Sequence, residues 1–572
     1  MTIKEEIKKI IEKALGRSLM GEAIKGLTKE AAVFSVEVPD DKNYGDYSSN
    51  VALVLAKQLG KNPREIAELI KKEIEKQKNI ATLKNNLFSK IEIAGPGFIN
   101  FFIADKFFID NLKNIDKNYG KAEGPERGRR IIIDYTDPNP FKEFHIGHLM
   151  SNAIGESLSR IYEFQGAKVK RVCYQGDVGI HVAKAIWGKM QNKGLSWGQA
   201  YAFGAKSYEE NDGIKKEIIE LNKKIYNRSD KNVNKLYDAG KKESLKHFDK
   251  IYKKLGTKFD YFIFESETGE VGKKIIEKGL KDKVFEKGEN GVIIFKGEKF
   301  GLHTRVFINS GGLPTYEAKD LGLAEIKYKK YAYDKSVIVT GNEVNEYFKV
   351  MIVAMGQTNK KLAEKTKHIG HGMLRLPEGK MSSRTGKVII GESLIEKVEK
   401  LVEEKVKNRE LSGKEKAEIS EKVAVGAIKY SILKQSIGSD IIYDFDKSIS
   451  FEGDSGPYLQ YSYTRAESVL RKAKVEKIKE SFKKLPAEIG QLEKMMSYFP
   501  EIVFKAAENY EPHFLVLYLT ELASEFNSYY VKNKIVDKND EFSPYKIALT
   551  EAFTIIMKNG LWMLGIKTLE KM

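Results

Sequence analysis

Residues 131–166 read IIIDYTDPNPFKEFHIGHLMSNAIGESLSRIYEFQG, and their reading decides the fold. Ile131–Tyr135 is a β-branched and aromatic run, as in a buried strand. Thr136–Pro140 is turn-rich and breaks it. From about Leu149 apolar residues recur at helical spacing (Leu149, Ala153, Ile154, Leu158, Ile161, Tyr162), and Gly166 suits a helix stop. Ala167–Tyr174 reads as a second strand. Strand, loop, helix, strand is a βαβ unit, and such units bind ligands at the carboxyl ends of their strands.

Between strand and helix stand His145, Gly147 and His148. Histidines three apart at a helix start share a face. Gly147 lets a ligand approach the backbone. A helix N-terminus, with its free N–H groups and partial positive charge, suits phosphate. Imidazoles placed there can donate to a phosphate whose charge grows in a transition state. The competing reading is that two of the eight histidines fell together in a surface turn. The flanking strand and helix favour a nucleotide site.

With 572 residues the chain has length for several domains, and 41% hydrophobic content against 31% charged allows sizeable cores. The formal net charge of +18 fits a polyanionic partner, or a proteome that is lysine-rich throughout. A single cysteine, Cys173, excludes an internal disulfide framework and a Cys-rich zinc site, and points to a reducing compartment. The N-terminus MTIKEEIKKIIEK is too charged for a secretory signal, and no apolar run approaches ~20 residues. A soluble cytoplasmic protein without membrane contact is expected.

Residues 1–118 read as a small α+β domain. Thr2 and Glu5 form a capping box, Asn62-Pro63 starts a second helix, and Ala32–Val38, Lys90–Ala94 and Phe98–Ile103 are strand-like. A basic linker, Lys121–Arg130, leads into an α/β nucleotide-binding core over 119–392. Within it the charged tract of about 185–301 reads as an insertion, helical in its first half and with strand signals at Tyr261–Glu265 and Gly291–Phe295. The α/β pattern returns with Thr315–Ala324, Ser336–Thr340 and Glu346–Met355. Residues 393–572 read as an all-helical bundle without strand signals. The predicted fold is therefore multidomain α/β: a Rossmann-type core with insertions, an N-terminal α+β domain and a C-terminal helical bundle.

Gly379–Lys387, GKMSSRTGK, carries Lys380, Arg384 and Lys387 on a Gly- and Ser-containing loop. Mobile cations closing over a polyphosphate suit nucleotidyl transfer. HxGH near the start of a Rossmann core with KMSS-R near its end resembles the class I aminoacyl-tRNA synthetases. DPNPFKEFHIGHLMSNAIGES narrows the resemblance to the arginyl-tRNA synthetases. So do YQGDVG (Tyr174–Gly179), PTYEAKDLG (Pro314–Gly322), FEGDSGPYLQY (Phe451–Tyr461) and the ending LGIKTLEKM (Leu564–Met572).

This resemblance implies arginine–tRNA ligase activity, with Mg-ATP as substrate complex and no tightly bound metal. ATP would bind at His145, Gly147 and His148, and Lys380, Met381, Ser382, Ser383 and Arg384 would steady the pyrophosphate. His145, His148, Lys142, Lys380 and Arg384 become the catalytic candidates. Ser383 stands where the common motif has lysine, and Lys142 matches a lysine thought to compensate. An arginine pocket needs carboxylates, whose oxygens match the guanidinium fork in pairs. Asp134, where the family usually has Glu, and the pair Tyr316 and Asp320 match guanidinium binders, and Asn139 matches a holder of the amino and carboxylate ends. After Ser336–Thr340 the family often has a Gln-His-like pair. Val344 and Asn345 stand at those places, and only Asn345 can hydrogen bond.

The resemblance also assigns tRNA(Arg) as partner, with a monomeric protein expected. The first domain would meet the tRNA elbow through Phe98 and Asn100, since unpaired bases are read by stacking and edge hydrogen bonds. The helical domain would meet the anticodon, with Tyr458 and Met572 as contacts. Arginine activation would require bound tRNA. The alternatives are a class I synthetase of other specificity, a small HxGH nucleotidyltransferase, and a catalytically silent tRNA-binding paralogue. Asp134, Tyr316 and Asp320 speak against the first, the C-terminal helices against the second and the retained HxGH against the third.

Overall fold

The structure is a computed structural model describing residues 3–17, 33–39, 41–77, 87–121, 124–375 and 390–571. It divides into two compact units: Met1–Gly124 with Arg465–Phe504 and Glu521–Ile556, and Pro125–Thr464 with Lys505–Thr520 and Met557–Met572.

In the first unit β1 (Val36–Glu37), β2 (Tyr47–Ser49), β3 (Phe88–Ala94) and β4 (Phe98–Ile103) form an antiparallel sheet in the order β1-β2-β4-β3. The helices Ile3–Arg17 and Pro63–Gln77 bury Ile7, Ile11, Ile66 and Ile70 in the same core as Phe101. The second of these helices starts as the sequence predicts: Asn62 Oδ1 accepts from the Arg64 N–H at 2.9 Å, and Pro63 fills the first helical position. Thr2, half of the expected capping box, lies outside the described residues.

The second unit is built on a five-stranded, wholly parallel sheet. Its strands are β5 (Arg130–Asp134), β6 (Lys168–Gln175), β7 (Tyr261–Phe264), β11 (Lys335–Gly341) and β12 (Thr366–His371). The order is β12-β11-β5-β6-β7. The chain works outward from β5 to β6 and β7, then returns to the other side of β5 for β11 and β12. That reversal opens a crevice between β5 and β11 at their carboxyl ends, where doubly wound sheets bind ligands. Ile131, Ile132 and Ile133 are fully buried, as a central parallel strand requires.

Two boundaries differ from the sequence reading. The helix after β5 is Ile146–Phe164, one turn earlier than Leu149: extended His145 (φ −97°, ψ 171°) sits at its N-cap, and buried Ile146, three and four positions before Leu149 and Met150, already belongs to the apolar face. Tyr261–Phe264, inside the stretch read as insertion, pairs with β6 from Val172↔Tyr261 to Gln175↔Phe264 and is a strand of the core sheet. Outside that sheet, 185–301 comprises the helices from Ile180–Gln191 to Lys231–Leu255, the helix Glu265–Lys281 and most of a separate antiparallel sheet. That sheet is β8 (Glu286–Lys287), β9 (Ile293–Phe295) and β10 (Arg305–Ile308). Beyond residue 393 the chain is helical as predicted, apart from Ile441–Ile442, which pairs with Leu374–Arg375.

Candidate active site

The loop between β5 and the Ile146–Phe164 helix holds three non-glycine residues in the left-handed region: Thr136 (φ 82°), Asp137 (φ 47°) and Phe141 (φ 70°). Each such residue costs about 1–3 kcal/mol and persists only where its surroundings fix it. The Thr136 N–H donates to Ser151 Oγ at 2.9 Å, and Ser151 Oγ donates to Val339 O at 2.8 Å. Asp137 Oδ1 accepts from the Tyr174 N–H at 2.7 Å. The Phe141 N–H donates to Ser244 Oγ at 3.0 Å, and the ring meets Trp197 edge-on with centroids 5.1 Å apart. The loop is thus tied to the helix that follows it and to β6.

Gly155, one helix turn beyond Ser151, is required by the same packing: a Cβ there would lie 2.2 Å from Tyr135 Cγ. The Tyr135 hydroxyl donates to Glu156 at 2.6 Å, and Glu156 is held by Arg160 (2.7 Å) and Arg171 (3.1 Å).

A cavity of about 860 Å³ occupies the crevice. One part is acidic. Asp134 ends β5, Asp137 follows in the loop, and Asp320 projects from the helix Tyr316–Lys330; all three line the cavity. Burial is the main cause that pushes all three carboxyls above their usual range, Asp320 to about 7, and Asp134 adds to the rise of the other two by repulsion. Asp320 Oδ2 accepts from the Tyr347 hydroxyl, which holds its pKa back. Tyr316 lines the same cavity and is 60% exposed, so its ring is available to a ligand.

Two lysines balance part of this charge. Lys327 Nζ stands 3.2 Å from Asp134 Oδ2, and Lys319 Nζ 2.5 Å from Glu265 Oε2, all four side chains being buried. Glu265 follows β7 directly and lines the cavity beside Gly176 and Asn139. The Gly176 N–H donates to Asn139 Oδ1 at 2.7 Å, and a Cβ at residue 176 would meet both Asn139 Oδ1 (2.7 Å) and Glu265 Oε1 (2.9 Å). With its amide oxygen so engaged, Asn139 has N–H donors to offer a carboxylate.

The other part of the cavity carries the imidazoles. The rings of His145 and His148 stack at 3.5 Å, and His148 Nδ1 accepts from the His145 N–H at 3.1 Å. Burial, with Lys142 adding repulsion, lowers His145 to about 4 and moves His148 down as well. Both are therefore neutral near pH 7. Because Nδ1 of His148 accepts, its Nε2 carries the proton and is a donor. Gly147, Gly341, Gly372 and Met373 line this part too. His371 Nδ1 bonds Gly372 O at 2.7 Å, which fixes that ring.

Of the predicted site residues, the cavity collects Asp134, Asn139, His145, Gly147, His148, Tyr316 and Asp320. Lys142 does not line it; its ammonium lies 4.9 Å from the centroid of the Tyr201 ring. Lys380, Met381, Ser382, Ser383, Arg384 and Met572 lie outside the described residues. The chain leaving the KMSS-like segment is joined to the histidines, since Ile390 bridges His145 and the Gly391 N–H donates to Phe144 O at 2.7 Å. Val344 lines the cavity, whereas Asn345 Oδ1 is buried without a described partner.

In the first unit Phe98 is 40% exposed at the start of β4. Asn100 is buried and accepts from Ser48 Oγ at 2.8 Å. Tyr458 is half-buried in the helix Gly456–Val475 of the C-terminal stretch. The sequence reading missed Asp137, Glu265, Lys319, Lys327, Tyr347 and His371. Helical register is the signal that could have found Lys327, which lies seven positions, two turns, beyond Asp320.

Known proteins now separate the possibilities. The family described as tRNA synthetases class I (R), catalytic domain, matches residues 110–445. The DALR anticodon binding domain matches 459–572 and the arginyl tRNA synthetase N terminal domain 1–103. The arginine–tRNA ligase of Clostridium acetobutylicum is 32% identical over 99% of this chain and 100% of its own. That of Fusobacterium nucleatum is 32% identical over 95% and 96%. Arginyl-tRNA synthetase structures from Plasmodium falciparum and Thermus thermophilus, 22% and 21% identical, share the fold at TM-scores of 0.80 and 0.77 over all of both chains. A matched catalytic domain longer than half the chain, with full-length relatives above 30% identity, shows that this chain belongs to the class I arginyl-tRNA synthetase family.

Proposed function

We propose that the cavity between β5 and β11 is where this arginine–tRNA ligase joins L-arginine to ATP and then to tRNA(Arg). In this reading the guanidinium enters the acidic part, between Asp134 and Asp320, with Tyr316 covering it. Asn139 donates to the arginine carboxylate. ATP, as its Mg²⁺ complex, lies along Gly147 and the two imidazoles.

The observation that carries this reading is that one cavity is lined both by three mutually repelling carboxyls and by two neutral, stacked imidazoles. The first set wants a cation with several donors. The second offers donors to a phosphate without adding fixed charge.

The chemistry needs no protein nucleophile. An arginine carboxylate oxygen attacks the α-phosphorus, the bond to pyrophosphate breaks, and arginyl-adenylate forms. A hydroxyl of the terminal tRNA ribose then attacks the carbonyl carbon, and AMP leaves. The protein supplies alignment, worth up to about 7–11 kcal/mol in favourable cases. His148 Nε2 supplies a donor to oxygens that gain charge. Lys380 and Arg384 would add cations over the pyrophosphate. Lys142 is assigned to help from outside the lining, which its stacking on Tyr201 makes an indirect role.

For tRNA, the exposed Phe98 ring is the base-stacking candidate of the N-terminal domain. Asn100, buried and bonded to Ser48, acts by shaping the strand beneath it. Tyr458 and Met572 are assigned to the anticodon side. We take the working protein to be a cytoplasmic monomer; the free, buried Cys173 fits the reducing compartment in that reading. Among the described residues no helix is long and apolar enough to cross a membrane.

Arginine-dependent ATP–pyrophosphate exchange, run with and without total tRNA and followed by charging of labelled arginine, tests the proposal. Exchange that needs tRNA, together with charged product, is expected. Exchange driven by a different amino acid would overturn it.

A further inference from the structure

The helix Tyr316–Lys330 ends in Lys327, Lys329 and Lys330, a sequence that reads as a solvated basic turn. Two of the three are exposed, but the Lys327 side chain is only 2% exposed and lines the cavity. Its Nζ is 3.2 Å from Asp134 Oδ2 and 3.2 Å from Ser336 Oγ on β11. Asp134 Oδ1 is buried with no hydrogen-bond partner among the described residues. One carboxylate, at the end of the central strand, therefore has one oxygen committed and one uncommitted.

An unsatisfied buried acceptor is costly, and a ligand's donor can remove that cost. An ammonium beside a cation site repels the cation, so its presence there calls for a reason. The titratable and charged groups around Asp134 give one. They are Asp137 from its own loop, Cys173 and Tyr174 from β6, and Asp320 and Lys327 from the Tyr316–Lys330 helix. Apart from Lys327, each of these groups becomes neutral or negative on titration. Burial drives the Asp134 carboxyl towards its protonated form, and Lys327 opposes this both by charge and by hydrogen bonding. A protonated Asp134 would present a neutral group to a guanidinium.

We propose that Lys327 is a positioning residue for arginine binding: it clamps Oδ2 of Asp134 and keeps the group a carboxylate whose Oδ1 receives the guanidinium. This rests on the reading of Asp134 as a guanidinium acceptor. The lysine's charge is offset by the clamp it makes, and the guanidinium still meets Asp137 and Asp320, which lack a lysine of their own among the described bonds.

The test is ATP–pyrophosphate exchange with tRNA present, measuring kcat/KM for arginine and for ATP against pH in Lys327→Met, Lys327→Gln, Lys327→Arg and Asp134→Asn. Loss of the lysine charge in Met or Gln should lower arginine kcat/KM at neutral pH by about 30-fold, with the KM for ATP within about twofold. The deficit should shrink as pH rises, because the undamped carboxyl ionises later. Lys327→Arg should restore wild-type behaviour to within about threefold. Lys327→Gln keeps a donor for Oδ2 and serves if the methionine variant does not fold. Equal losses towards arginine and ATP at every pH, or a wild-type pH profile in Gln while Asp134→Asn raises the arginine KM, would overturn the clamp and leave the Asp134 reading standing. An unchanged arginine KM in Asp134→Asn would overturn that reading itself.

Discussion

Replacing Asp320 by asparagine removes the charge of the proposed guanidinium pocket while sparing its shape. Asparagine keeps an oxygen for the Tyr347 hydroxyl, so the helix and its neighbour stay joined. Two things change for arginine. A charge-assisted hydrogen bond, worth about 1.5–3 kcal/mol, becomes neutral, and an amide donor can now face a guanidinium donor. Together these cost about 3 kcal/mol, or roughly a 100-fold rise in the arginine KM. The pH dependence adds a second readout. Burial raises Asp320 to about 7, so its neutral form takes over as pH falls through that value and the loss lies on the acid side. Wild-type kcat/KM for arginine should fall from about pH 8 to about pH 6, approaching tenfold per unit. In Asp320→Asn this acid limb should be lost, because the carboxyl that carries it is gone. Exchange assays at saturating ATP and tRNA read both quantities. An arginine KM within about threefold of wild type, or an acid limb with an unchanged midpoint, would refute the reasoning.

His148→Ala should lower the exchange rate about 100-fold by removing a donor to the reacting phosphate, with tRNA affinity by filter binding within about twofold of wild type; a parallel loss of tRNA affinity would contradict that role. Gly155→Ala forces a Cβ to within 2.2 Å of Tyr135 Cγ, so the helix must move away from β5. It should destabilise the protein by about 3 kcal/mol in urea unfolding, and wild-type stability would refute the packing argument.

The central unit was readable because its signals are local: an apolar strand of isoleucines, a turn, a 3.6-residue repeat and a second strand. The strand Tyr261–Phe264 is legible as a strand but not as part of the core sheet, because its partner β6 lies nearly ninety positions earlier and periodicity carries no information on pairing. Asp134, Tyr316 and Asp320 could be named from motifs. Lys319 and Lys327 belong to no such assignment: helical register places Lys327 on the face of Asp320, but in a lysine-rich chain nothing in the letters around a lysine says that it is buried. Their roles come from tertiary partners, Glu265 and Asp134, supplied by other elements. The family resemblance points to Val344 and Asn345, whereas Tyr347, one helical turn beyond Val344, provides the hydroxyl that meets Asp320.

The central claim is that a cluster of carboxyls selects a guanidinium, and L-citrulline, its neutral near-isostere, tests this most directly. Competition of citrulline against arginine in tRNA-dependent exchange should show binding weaker than arginine by at least about 1,000-fold, since the buried carboxylates would be left without a cation. Citrulline competing within about tenfold of arginine would mean that shape, not the charge of Asp134 and Asp320, chooses the substrate, and would contradict the account.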